Sequence, residues 1–237
     1  MSADAVGRVL PVKELLNTLG PKLGYLSKSE QPLALQLFRI LARGYPVRLE
    51  ELAAEAQKSE NEIAEMLSGG ALRGLVLMDQ EKVITGFGGL SVTPTPHAFR
   101  LDGVTLHTWC ALDAFFIPGI LGVTAAIEST CPQSGRTLRV TVSPNGVEDS
   151  DPKEQVMSFV DPIKPFGSQS VSESMCCFCD HVRLIASRAE GNRWCRERKD
   201  AFLLTLQQAF ELGTLYNSAR FGDLIVTGAA KLSANNY

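Results

Sequence analysis

Val123-Thr124-Ala125-Ala126-Ile127-Glu128-Ser129-Thr130-Cys131-Pro132-Gln133-Ser134-Gly135-Arg136-Thr137-Leu138-Arg139-Val140-Thr141-Val142-Ser143 reads as a pair of strands, 123–129 and 137–143, folded back about the turn Pro132-Gln133-Ser134-Gly135. Working outward, Met157 to Val160 and His181 to Ser187 add strands. Thr105 to Phe116 is expected to be a helix ended by Pro118, and Glu190 to Leu212 a long helix carrying Phe202, Leu203, Leu206 and Phe210. Strands and helices in this order predict an α+β unit over 97–237, beginning near His97, with a mixed or antiparallel sheet.

Upstream the pattern changes. Leu33, Leu35, Leu37, Phe38, Ile40 and Leu41 mark a largely buried helix from Gln31 to Arg43, stopped by Gly44. A second helix runs from Leu49 to Gln57. Ser59 with Glu62 three residues on forms a capping box for a third, which carries Ile63, Met66 and Leu67 and ends at Gly69-Gly70. Leu75–Met78 and Lys82–Thr85 flank the turn Asp79-Gln80-Glu81 as a short hairpin. Three helices and a hairpin predict a winged-helix-like domain over 1–86. Residues 87–96, rich in Gly, Pro and Thr, read as a linker with a short strand at 90–93.

A winged helix suggests DNA, but charge argues against it. Between Arg48 and Arg73 three basic residues (Arg48, Lys58, Arg73) face six glutamates at 50, 51, 55, 60, 62 and 65. Phosphate neutralisation supplies most non-specific affinity for nucleic acid, so this recognition helix repels the backbone it must approach. The whole chain agrees: 237 residues carry a net charge of -3, with no basic field for nucleic acid or an anionic membrane. Its 45% hydrophobic content is ample for a core. No secretory signal is read at the start, and the longest apolar run, Ala114 to Ile127, is too short for a bilayer and broken by Pro118, Gly119 and Gly122. A cytoplasmic location is expected, where the six cysteines stay reduced and clustered thiols point to metal chemistry or catalysis.

Two such clusters stand far apart, Trp109-Cys110-Ala111-Leu112-Asp113 and Cys176-Cys177-Phe178-Cys179. If the first is helical, Cys110 and Asp113 share a face. Thiolates select soft, late metal ions, and a carboxylate beside a thiol accepts its proton and delivers it elsewhere. A thiol that captures a metal-bound group is expected to be accessible and of low pKa.

At these residues the sequence resembles the alkylmercury (organomercurial) lyases of bacterial mercury-resistance systems. The matching residues are Leu106-His107-Thr108-Trp109-Cys110-Ala111-Leu112-Asp113, Phe115-Phe116-Ile117-Pro118, Thr130-Cys131, Thr141-Val142-Ser143-Pro144 and Phe178-Cys179-Asp180-His181-Val182. They span roughly 101–221; the N-terminal part agrees mainly in pattern. The resemblance implies detoxifying protonolysis of a carbon–mercury bond without a cofactor, with Cys110, Asp113 and Cys179 catalytic and the same three residues holding the product Hg²⁺. It further implies low-molecular-weight thiols or a mercuric reductase as acceptors of that ion. Family members carry two adjacent cysteines before the His-Val pair, whereas here Asp180 takes the second place. Cys131 falls on a structural family cysteine. Cys176 and Cys177 lie where the family pattern demands no thiol, so they either shuttle mercury or pack. His107 and His181 are assigned structural roles, since a soft ion with two thiolates has little need of imidazole. Trp109, Phe115, Phe116 and Phe178 are expected in the core, some of them walling an apolar pocket.

Two other readings stay open on the residues. A metal-sensing transcription regulator fits a winged helix beside a cysteine cluster, against the acidic helix. A structural zinc site from Cys176, Cys177, Cys179 and His181 packs its ligands more tightly than the usual two-pair arrangement.

Overall fold

The computed structural model describes residues 12–23, 25–160, 178–198 and 201–225. Cys176 and Cys177 lie outside the described residues.

The helices α1 (Val12–Leu23), α2 (Gln31–Leu41), α3 (Leu49–Ala56) and α4 (Glu60–Ser68) precede the first strands. Pro32 sits in the first turn of α2, where its missing N–H costs nothing. The expected capping box of α4 forms: Ser59 Oγ accepts from the Glu62 N–H, and Glu62 accepts from the Ser59 N–H at 2.8 Å. Strands β1 (Val76–Met78) and β2 (Ile84–Phe87) make the expected hairpin.

That hairpin is not a separate sheet. β2 pairs with β3 (Leu90–Ser91), and β3 with β5 (Val104–Thr108), so one antiparallel sheet runs β1-β2-β3-β5-β4-β6-β7-β8, with β4 at His97–Leu101, β6 at Ala125–Thr130, β7 at Thr137–Ser143 and β8 at Gly146–Asp151. The stretch 87–96 therefore carries a strand of the main sheet and the tight turn that enters it. The β6–β7 hairpin pairs in register from Ala125↔Val142 to Thr130↔Thr137. Inward residues of β7, namely Leu138, Val140 and Val142, are buried while Thr137 and Arg139 are exposed. A second antiparallel sheet, β10-β9-β11, joins Leu184–Ile185, Val156–Val160 and Ala201–Thr205. One apolar core links α2 to the rest of the chain: Phe38 meets Phe87 edge to face at 5.1 Å, and the same cluster reaches Phe116, Phe159 and Phe210.

Three expected elements are corrected. Residues 105–116 are not one helix. Val104–Thr108 is β5, whose Leu106 and Thr108 point inward at period two, and the helix α5 starts only at Asp113 and runs to Leu121 with Pro118 inside it. α5 is apolar all round and buried, so packing holds a helix that Pro118 weakens by removing one backbone bond. The long helix over 190–212 is two helices, α6 (Arg188–Arg196) and α7 (Leu206–Phe221), with β11 between them. The apolar run Ala201 to Leu204 is ambiguous by periodicity, and pairing with β9 makes it a strand. Capping signals mark both starts: Ser187 accepts from the Glu190 N–H, and Thr205 with Gln208 forms a second capping box. The strand expected at 181–187 shrinks to Leu184–Ile185 behind a 3₁₀ turn, Cys179–His181.

Candidate active site

Cys110 sits in the turn between β5 and α5, and Asp113 is the first residue of α5. They do not share a helical face. Instead the chain folds back locally, so that the Cys110 N–H donates to Asp113 Oδ2 at 2.7 Å. Thr108 Oγ1 donates to the Cys110 carbonyl at 2.9 Å, and the Trp109 N–H to the Gly89 carbonyl at 2.8 Å, which prolongs the β3–β5 pairing to the threshold of the site.

Cys179 arrives from elsewhere in the chain. The Ala111 N–H donates to the Val182 carbonyl at 3.1 Å, tying the two thiol segments together through the backbone. Ser158 of β9 fixes the second segment: its hydroxyl donates to the His181 carbonyl at 2.7 Å and accepts the Arg183 N–H at 3.1 Å. As a result the sulfurs of Cys110 and Cys179 and a carboxylate oxygen of Asp113 all lie within 4.8 Å of one another. Among the described residues this is the one group of three or more His, Cys, Asp or Glu side chains able to share a metal ion.

The site is dry. Cys110 is 1% exposed, Cys179 5% and Asp113 9%. Burial pushes the Cys110 thiol well above its ordinary pKa, and its hydrogen bond to Cys179 and the Asp113 charge push the same way. For Cys179 that hydrogen bond favours the thiolate, but burial and the charges of Asp113 and Asp180 outweigh it, so its pKa also rises. Burial raises Asp113 to about 7 against the pull of the Cys110 N–H and thiol and of the Arg220 charge. The expectation of an accessible, low-pKa thiol is thus corrected in direction: both thiols are buried, and burial together with the Asp113 charge pushes them up.

A small cavity of about 50 Å³ opens on Cys179 and Asp113. Trp109, Phe116 and Phe178 line it, whereas Phe115 stays in the core. Several lining groups are not among the residues singled out in the sequence. Tyr216 and Arg220 come from α7, and Leu75, Gly88 and Gly89 from the β1–β3 region. Gly88-Gly89, within the stretch read as a linker, forms the β2–β3 turn. Gly89 has φ +102°, and a Cβ there falls 2.4 Å from the Asp113 carboxyl carbon, so only glycine lets this backbone press on the acid. Such a Gly-Gly pair before an apolar strand was the available sequence clue.

The other candidates stand apart. Cys131 is buried and donates to Glu190 at 3.1 Å, with Ser134 on the same carboxylate. His107 lies on β5 and His181 in the 3₁₀ turn, and neither joins the Cys110-Asp113-Cys179 group.

Similarity to known proteins concentrates on this region. The family described as alkylmercury lyase matches residues 90–217. An alkylmercury lyase of Staphylococcus epidermidis is 35% identical over 177 residues, 75% of this chain and 77% of that protein. Those of Streptomyces lividans (35% over 177 residues, 75% of this chain and 78% of that one) and Pseudomonas putida (34% over 183 residues, 77% and 82%) are similar to a like degree. A crystal structure of the mercury-bound form of MerB2 shares the fold, with a TM-score of 0.68 at 24% identity over 85% of this chain and 94% of that one. The family match covers the segments that carry Cys110, Asp113 and Cys179, and the chain belongs to the alkylmercury lyase family.

Proposed function

We propose that this chain cleaves the carbon–mercury bond of organomercurials by protonolysis, with Cys110 and Cys179 as mercury ligands and Asp113 as the proton carrier. The observation that carries the reading is the close approach of two buried thiols to one carboxyl poised near 7. A substrate R–Hg–X meets two neutral thiols. Cys179, whose thiolate is favoured by the hydrogen bond from Cys110, binds mercury first and its proton leaves with X. Asp113, hydrogen-bonded to Cys110, then takes the Cys110 proton as that sulfur joins the metal. Two thiolates donate into one soft ion, the R–Hg bond weakens, and Asp113 protonates the carbon. In sum R–Hg–X and two thiols give R–H, Hg²⁺ held by two thiolates, H⁺ and X⁻, with no redox change and no organic cofactor.

Asp113, freed of its proton, serves as a third ligand to Hg²⁺ until small thiols or a mercuric reductase withdraw the ion in the cytoplasm. The α2–α4 helices with the β1–β2 hairpin act as a winged-helix-like scaffold built onto the catalytic unit through β3, which continues their sheet. The acidic faces of α3 and α4 assign it no nucleic-acid partner, and among the described residues no helix is long and apolar enough to cross a membrane.

Headspace chromatography of methane from methylmercury in D₂O tests this. CH₃D is expected from the native protein and none from C110S or C179A. Full turnover in either variant overturns the assignment.

A further inference from the structure

Arg220, on the last turn of α7, is 1% exposed, yet its Nε and Nη2 have no hydrogen-bond partner among the described residues. Its guanidinium lies 4.9 Å from the Tyr216 ring centroid and 5.1 Å from that of Phe221. It lines the same cavity as Asp113 and Cys179, opposite the close-approaching Gly88 backbone, where a Cβ would come within 3.7 Å of Nη2. Arginine is effectively always charged, and burying a charge whose donors lack acceptors is costly. Ring faces offset part of that cost but accept no directed N–H bonds. Asp113 feels the Arg220 charge but takes no hydrogen bond from Nε or Nη2; its Oδ2 holds the Cys110 N–H instead. The two unpartnered donor nitrogens, Nε and Nη2, thus have the chemistry of a fork for an anionic acceptor.

We infer that Arg220 is a specificity-determining residue that receives a carboxylate carried by the organic group of the substrate. This rests on the lyase reading above: with mercury seated on the thiols, the organic group shares the cavity with Trp109, Phe116 and Tyr216, and Arg220 is its one fixed cation among the lining residues. The cavity admits a few heavy atoms, so short carboxyalkyl groups are the class selected. A neutral chain of equal size leaves the fork unpaired, which is how a site built to hydrogen-bond discriminates against an analogue that lacks the group.

The test compares 2-carboxyethylmercury with its apolar isostere 3-methylbutylmercury by release of propionate and 2-methylbutane. Native protein is expected to favour the carboxylate in kcat/KM by about tenfold or more, mainly through KM, as a charge-assisted bond allows. R220M should bring the ratio to one or below, and R220K, which keeps the charge but not the fork, to an intermediate value. Propionate should compete with 3-methylbutylmercury on the native protein, a readout that needs no variant. Native preference for the isostere, or a ratio unchanged in R220M, overturns the inference. Absence of both propionate and 2-methylbutane from native protein overturns instead the lyase reading on which it rests.

Discussion

Gly89→Ala probes the geometry of the site without replacing a reacting group. Gly89 has φ +102°, which an alanine adopts only under strain, and its Cβ falls 2.4 Å from Asp113 Cγ and 2.5 Å from Oδ1. Ordinary contacts begin near 3.4 Å, so the carboxyl must retreat by about 1 Å or the turn must shift. A misplacement of about that size costs on the order of a hundredfold in rate. Stability falls too, by about 1–2 kcal/mol for the backbone and about 1–3 kcal/mol for overpacking. Gly103→Ala is the matched control: φ is +81° and nothing lies within 4 Å of its Cβ, so it carries the backbone strain alone. Urea unfolding and headspace assay of hydrocarbon release should show G103A about 1–2 kcal/mol less stable with native turnover, and G89A less stable still and about a hundredfold slower. A folded G89A with turnover within a few-fold of native refutes the claim that this backbone sets the position of Asp113.

Asp113→Asn separates activity from stability. Because the folded pKa of Asp113 is raised from 3.8 to about 7, the folded state holds the proton between those values while the unfolded chain releases it. Stability is therefore full below about pH 4 and declines as pH rises to about 7. D113N removes that decline: unfolding at pH 4 should match the native protein, while at pH 8 the variant should be more stable by a few kcal/mol, on the order of 1.4 kcal/mol per pKa unit, and inactive in hydrocarbon release. Equal stability at pH 8 contradicts the buried acid. Ser59→Ala deletes the cap of α4 and should cost about 1 kcal/mol in urea unfolding with unchanged turnover. Cys131→Ala leaves the Cys110-Cys179 pair intact, so equilibrium dialysis should still find one tightly held Hg²⁺; loss of that ion places Cys131 in the site.

Local signals were legible in the sequence wherever short-range physics decides. The Ser59/Glu62 capping box, the 123–143 hairpin and the apolar stripe of α2 depend on neighbours a few residues away, and they form as read. The thiol and acid motifs were equally plain as chemistry. What could not be read was context. Helical spacing suggested that Cys110 and Asp113 share a helix face, but Leu106 and Thr108 are claimed by sheet pairing with β3 and β4, and the two side chains meet through a backbone hydrogen bond at the start of α5 instead. Ala201 to Leu204 fits a helix as well as a strand until β9 lies beside it.

By itself the sequence determined the chemistry available to this protein, because residue type fixes softness, charge and proton affinity. Only the tertiary structure decided that Cys179 stands beside Cys110, since 69 positions of chain separate them in the numbering and the joining contacts run through Val182 and Ser158. It alone also set the direction in which the site's groups shift, the thiols up and Asp113 up to about 7, because desolvation depends on what surrounds a group and not on its neighbours in sequence. Arg220 and Gly89 belong to the same class: an ordinary helix-end arginine and a turn glycine in sequence, they gain their roles from the cavity that the fold closes around them.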